Sequence, residues 1–414
     1  MTLATFFLLL SVAGLCMSTI TFFRIKLPGL LMVPQFFIGW LAGELALHTI
    51  IGQAVVTILF VAGGVLDHPQ GQWGLGLSLV SWGLLAACHG RSLRAAHEIA
   101  EALAPQGIVP EQDVSMLHGF PNPFIFSHPD VRVLRDIPYG ESLEGDRGGR
   151  NLMDIVLPED ASEGDERPVL LQVHGGGWLI GDKREQGRPL MMHLASRGWV
   201  CVAINYRLSP QAAMPAHIID VKRSIAWIRA HIAEYGGNPD FVCITGGSAG
   251  GHLCSLAALS ANDARFQPGF EEVDTWLDAC VPFYGVFDFL DRADDRGKLK
   301  MGEMIGDRVF GCTPEENPEL WDSVSPVTRT HPDAPPFFVI QGSHDSLVFA
   351  EEARTFVDLL REKSNAPVLH AELTGAQHAF EVFHSVRCAH AIRGVTAFLE
   401  KVHEDYAKKK TATA

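Results

Sequence analysis

From about residue 130 the chain alternates short apolar runs with amphipathic helical patterns, and that alternation leaves few folds open. DVRVLRDIPYG and NLMDIVLP read as two strands with period-2 patterning, set off from the preceding chain by Pro121, Asn122 and Pro123. PVLLQVH, WVCVAINY, FVCITGG, ACVPFY, PFFVIQG and VLHAEL follow as nearly continuous apolar runs. Helical patterns fall near 187–197 and 217–235, from 249, near 350–363, and in a last helix to about 404. Strands apolar along their whole length are buried on both faces. The expectation is therefore an α/β fold, a mostly parallel sheet with helices on both faces. Ligands in such folds bind beyond the carboxyl ends of the strands.

Those strand ends carry the unusual residues. PVLLQVH runs into Gly175, Gly176 and Gly177 ahead of Trp178. Glycine loses the most conformational freedom on folding, so three in a row need a backbone reason. FVCITGG runs into Ser248, Ala249 and Gly250, with a helix beyond. This is G-x-S-x-G at a sharp strand-to-helix turn, which presents a serine and uses glycine where side chains would clash.

A serine hydroxyl becomes a useful nucleophile only when a base takes its proton, and the base needs an acid to orient it. In this arrangement the acid and the histidine follow the serine in chain order. Asp345 lies in the loop after PFFVIQG, and His378 lies after VLHAEL and before the last helix. Asp288 follows ACVPFY, one strand too early. His384 and His390 fall at or within the last helix, His370 inside a strand, and His344 beside the acid. Ser248, Asp345 and His378 are thus the expected catalytic residues. Acyl transfer also needs N–H donors aimed where the oxyanion develops. The backbone N–H groups of Gly176, Gly177 and Ala249 are the candidates for this oxyanion hole, and Trp178 is a candidate substrate-binding residue that either lines an acyl pocket or simply packs in the core.

Together these motifs resemble the hormone-sensitive lipase-like esterases of the α/β-hydrolase superfamily. HGGGW at 174–178, NYRLSP at 205–210 followed by Pro215, Ala216 and Asp220, GGSAGG at 246–251, HDSLV and QHAF occur in the family's order. The resemblance covers about residues 130–404. It implies an α/β-hydrolase fold with a cap, Ser248 as nucleophile, His378 as general base, Asp345 as orienting acid, and no metal or organic cofactor. It also implies hydrolysis of carboxylic esters or acetyl groups. Tyr206 and Arg207 are expected to brace the core loops. One departure stands out: many members read GDSAGG, whereas this chain has Gly247 before the serine.

The first ninety residues are of another kind. Arg24, Lys26, Glu44 and Asp67 are their only Asp, Glu, Lys or Arg residues. Leu3–Phe23 carries no charge and has about the ~20 residues that cross a bilayer. It lacks the basic start of a secretory signal. Three spans are expected, roughly 3–23, 46–66 and 73–89. The stretch 30–47 is set aside because Pro28, Pro34, Glu44 and His48 interrupt it. Arg24 and Lys26 before the last two spans, and Arg91 and Arg94 after them, then share one side, expected to be cytoplasmic.

The expected organisation is a helical membrane domain over 1–92, a linker and cap segment over 93–130, a catalytic domain over 131–407 and a disordered tail over 408–414. The roughly fifty residues before PFFVIQG form either a lid or a surface excursion. A net charge of −15 argues against nucleic-acid binding, which needs a basic footprint. The eight cysteines form no CxxC pair, which fits a reducing compartment better than a disulfide scaffold. The expected function is a serine carboxylesterase acting on a small lipophilic ester, with membrane lipid around residues 1–92. The alternative is a ligand-binding or membrane-scaffold protein on a hydrolase fold.

Overall fold

The computed structural model describes residues 1–23, 25, 31–111, 121–294 and 306–413. Eight strands form one sheet in the order β1-β2-β4-β3-β5-β6-β7-β8. They are β1 Val131–Pro138, β2 Leu152–Pro158, β3 Arg167–Val173, β4 Val200–Ile204, β5 Gly237–Gly247, β6 Ala279–Phe283, β7 Phe337–Gly342 and β8 Val368–Leu373. β2 runs antiparallel to β1 and to β4, and the remaining neighbours are parallel.

The uninterrupted apolar runs conceal a strict alternation. Val169, Leu171 and Val173 of β3 enter one core with Val202 and Ile244, while Leu170 enters the other with Cys201 and Cys243. Successive side chains of a strand point to opposite faces, so both faces here need helical cover. One face is covered by α7 (Ala216–His231), α8 (Ala249–Ala258) and α9 (Ala350–Lys363), the other by α6 (Arg188–Ser196), α5 (Ala95–Leu103) and α10 (Val386–Thr413).

The expected membrane block consists of α1 (Leu3–Phe22), α2 (Met32–Glu44), α3 (Ala46–Ala62) and α4 (Pro69–Ser92). The three-span expectation needs correction. Only α1 is by itself long and apolar enough to cross a bilayer, among the described residues, and α2 with α3 qualifies only as a pair bent by 91°. The stretch set aside at 30–47 is helical, and one residue, Leu45, suffices as the corner. The expectations for Arg24 and Lys26 lie outside the described residues.

The block buries small apolar clusters, with Phe7 and Val65 in one and Leu85 and Cys88 in another, but many large apolar side chains face outward. Leu9, Val12, Ile51, Val55, Ile58, Leu59, Leu79 and Val80 are exposed. Polar groups meet inside: Ser78 Oγ donates to Ser11 Oγ at 3.1 Å, and Ser81 Oγ donates to Gln53 Oε1 at 3.2 Å.

Two further boundaries differ from expectation. α5 is no cap: Ala95, Ile99 and Leu103 are buried in the second core, and Glu98 accepts the Thr374 N–H at 3.0 Å just past β8. The rest of the expected cap segment, 112–120, lies outside the described residues. The tail is helical through Thr413. Acid–base pairs one turn apart continue the helix there: Lys401 with Asp405, and Lys408 with Glu404. Phe287, Phe289, Phe310 and Trp321 of the long insertion are buried in the first core, so its described parts are structural. Residues 295–305 of it lie outside the described residues.

Candidate active site

Strand ends β3, β5, β6, β7 and β8 bring the candidate residues to one edge of the sheet. Ser248 follows β5 directly and sits at φ 59°, ψ −121°, a strained turn that feeds the N-terminus of α8. Its N–H donates to Phe283 O at 3.0 Å, fixing the turn to the end of β6. The serine side chain is half-buried. Among the described residues no hydrogen bond holds its Oγ, and such bonds commonly tighten only with substrate in place.

Asp345 and His378 meet. The His378 Nδ1–H donates to Asp345 Oδ2 at 2.7 Å, with both side chains buried. The carboxylate is fixed from its other sides: Gln341 Nε2 reaches Oδ2 at 3.1 Å, while the Leu347 and Val348 N–H groups each reach Oδ1 at 2.8 Å. A donor at Nδ1 leaves Nε2 as the acceptor, the tautomer a general base requires. Gln377 Oε1 accepts from both Ser346 N and His378 N, at 2.7 and 2.9 Å, and so ties the acid loop to the histidine loop.

The glycine loop is built for bare backbone. Gly176 has φ +117°, and a Cβ there would stand 2.1 Å from Ile180 O. Its own carbonyl accepts from the Leu179 and Ile180 N–H groups, closing a tight turn. Among the described residues, none accepts from the N–H of Gly176, Gly177 or Ala249. Below the loop, Tyr206 Oη donates to His174 O at 2.9 Å, and Arg207 forms a two-armed pair with Asp220, both bonds 2.8 Å. These residues brace the loops, as expected.

Trp178 packs in the core. Its indole lies in the core at 2% exposure, donates to His252 Nδ1 at 3.2 Å and packs on Phe289 with ring centroids 5.1 Å apart. It supports the glycine loop from beneath, which fits the packing alternative.

The rival residues have other partners. Asp288 accepts the Leu290 and Arg292 N–H groups as a turn cap, and His384 is bonded to the backbone of residues 123 and 125.

Several site neighbours carry no sequence signature. Tyr284 follows β6, and its ring lies 4.4 Å from that of His378. Its hydroxyl donates to the buried carboxylate of Glu381. Burial pushes the Glu381 carboxyl up to about 7, against the opposing pull of the Tyr284 hydrogen bond. Tyr284 could have been suspected from its strand-end position alone; Glu381 could not. Among the described residues, no group of three or more His, Cys, Asp or Glu side chains is placed to hold a metal ion.

The buried histidines set an acid limit on stability. Burial lowers His174 to about 4, His252 to about 4 and His217 to about 3. Their folded values lie below the unfolded one, so the unfolded chain binds more protons as pH falls through 6.5. Their contribution is complete above about 6.5 and is lost toward 4. Glu381, raised from 4.5 to about 7, acts oppositely: its contribution is present below 4.5 and is lost as pH rises through 7. Burial also lowers His193 and His370 to about 4 and raises Asp278 to about 6. Five histidines outweigh these two carboxyls, so the thermal midpoint should fall from pH 6.5 to 4. A flat midpoint over that range would contradict the neutral buried histidines.

An eight-stranded, mostly parallel sheet that carries a serine turn and an Asp–His pair at its carboxyl edge is the architecture of an α/β-hydrolase. The chain belongs to the BD-FAE family, whose profile matches residues 153–360. It is 51% identical over 274 residues to the probable carboxylic ester hydrolase LipM of Mycobacterium tuberculosis, an alignment covering 66% of this chain and 63% of that one. It is 46% identical over 269 residues to the esterase LipQ of the same organism, covering 65% and 62%. The chain thus spans less than two thirds of the length of these curated relatives. The crystal structure of esterase B from Lactobacillus Rhamnosis shares the fold at a TM-score of 0.57 and 19% identity, covering 78% of this chain and 99% of that one.

Proposed function

We propose that this protein is a serine carboxylesterase that hydrolyses lipophilic carboxylic esters or acetyl groups through an acyl-enzyme. The buried Asp345–His378 bond of 2.7 Å beside the strained Ser248 turn is the observation that carries this reading. In the proposed mechanism Ser248 Oγ attacks the ester carbonyl while His378 Nε2 takes its proton. The N–H groups of Gly176, Gly177 and Ala249 receive the oxyanion, and His378 returns the proton to the departing alcohol. Water activated by the same imidazole then releases the acid. The names of the curated relatives, an ester hydrolase and an esterase, support the reaction class.

The N-terminal helices are proposed to embed in a membrane. Outward apolar side chains with inward serines and glutamine suit lipid, where helices associate through small and polar groups. The catalytic body is proposed to lie on the cytoplasmic side, with Arg91 and Arg94 as the flanking cations.

The test is hydrolysis of p-nitrophenyl esters from acetate to palmitate by the full-length protein. Activity is expected in the membrane fraction and in the soluble fraction only after detergent treatment. A folded, detergent-solubilised protein inert toward every chain length would overturn the esterase reading. Activity that is soluble without detergent would overturn the membrane placement.

A further inference from the structure

The histidine loop, Thr374–Phe380, is held from outside the hydrolase body. Trp40 Nε1 of α2 donates to Ala379 O at 2.7 Å, and the Trp40 ring packs on Phe383 at 5.2 Å. Phe36, one turn earlier, stands perpendicular to the His378 ring with centroids 5.9 Å apart. Gly39, between them, backs onto Gln377, where a Cβ would meet Nε2 at 3.3 Å. The far end of α2 is latched: Glu44 Oε1 accepts from Arg387 at 2.6 Å and Oε2 from Ser385 at 2.8 Å, with the Glu44 and Arg387 side chains each 1% exposed. Arg387 also donates to Thr374 O at 3.0 Å, at the start of the loop. A buried ion pair broken from one side is strongly unfavourable, so this latch holds α2 in register with the loop.

We propose that α2 forms the wall of the substrate site on the side of the leaving alcohol, with Phe36 selecting esters of a bulky apolar alcohol and Trp40 positioning His378. This inference rests on the esterase reading above. His378 must protonate the alkoxide as the acyl–oxygen bond breaks, so the alcohol portion lies next to the imidazole. Asp345 occupies Nδ1, Tyr284 lies against the ring, and Phe36 borders it from α2. An alcohol chain leaving past Phe36 meets a helix whose other side exposes Val33, Phe37, Ile38 and Leu41. On the side of His378 the wall it meets is the Phe36 ring, against which a polar or charged alcohol would gain nothing.

The experiment uses the detergent-solubilised full-length protein and butyrate esters of methanol, butanol, octanol and dodecanol, with rates taken per active site titrated by a p-nitrophenyl phosphonate. Normalising in this way removes any loss of folded protein. For the wild type, kcat/KM is expected to rise at least tenfold from methyl to dodecyl. Phe36→Ala should abolish that rise and Phe36→Leu should retain most of it, while the acyl-length profile on p-nitrophenyl esters stays the same in both. Trp40→Phe, which keeps an aromatic ring but removes the N–H donor, should lower kcat severalfold at unchanged KM. A flat alcohol profile in the wild type, or a full rise retained in Phe36→Ala, overturns the proposal while leaving the esterase intact. Unchanged kcat in Trp40→Phe overturns the positioning role. A wild type inactive on both ester series fails the esterase reading itself.

Discussion

Replacing Ser248 by alanine is expected to abolish ester hydrolysis, a fall on the order of 10⁴–10⁶-fold in kcat, while leaving the fold intact. The two halves of this expectation have separate causes. The proposed route passes through a covalent bond to Oγ, and neither the glycine loop nor His378 can substitute for that atom. Among the described residues Oγ holds no hydrogen bond, so its removal leaves no buried partner unsatisfied and should change stability by no more than about 0.5–1 kcal/mol. The backbone at φ 59° is strained for alanine and serine alike. Initial rates on p-nitrophenyl butyrate with thermal unfolding of both proteins give the result. A fluorophosphonate probe should label the wild type and not the variant. Full activity in Ser248→Ala would remove the nucleophile from the scheme.

Gly247→Asp, which restores the acidic residue common in GDSAGG sequences, is expected to destabilise this protein by about 3–5 kcal/mol and to cripple activity. A Cβ at 247 would stand 2.6 Å from Tyr284 Oη and 2.9 Å from its Cε2, so the ring must move. The ring is not free to do so, because its hydroxyl is bonded to buried Glu381 and its face lies 4.4 Å from His378. The added carboxylate would also sit beside a carboxyl already raised to about 7 by burial. Like charges at close range in a buried site raise the cost further. Shortening the tyrosine should relieve part of it. The double variant Gly247→Asp/Tyr284→Ala is expected to be more stable than the two single losses added together, by about 1–3 kcal/mol in a double-mutant cycle. Guanidinium unfolding of the four proteins decides it, and a Gly247→Asp variant as stable as wild type would show that the ring has room to yield.

The departure at 247 also shows how far local patterns reach. GGSAGG identifies a turn and a candidate nucleophile because both depend on residues adjacent in the chain. The reason for glycine at 247 is a tyrosine thirty-seven residues later, held by a glutamate further on, and no spacing rule connects them. Trp178 shows the same limit. Its position after HGGG suggested a pocket, but a positive φ of 61° turns it down into the core against His252 and Phe289.

The N-terminal block is the sharper case. Hydropathy judges each stretch by its own composition, so Glu44 counted against the segment 30–47 as an ionisable group with nowhere to go. Its partner is Arg387, near the other end of the chain, and the pair is buried where the first helices meet the histidine loop. A charge that penalises a helix inserted alone finds its partner when the helix docks.

The sequence by itself determined the α/β architecture, the order of strands along the chain, and which serine, acid, histidine and glycine loop are the candidates for the site. All of these follow from periodicity and from residues that act on their own backbone. Only the tertiary structure decided that α5 belongs to the core, that the tail is helical, that Tyr284 and Glu381 flank His378, and that α2 lies over the site. Those facts depend on which side chains meet across hundreds of residues, and such meetings are fixed by packing and by the pairing of buried charges rather than by any pattern local to the chain.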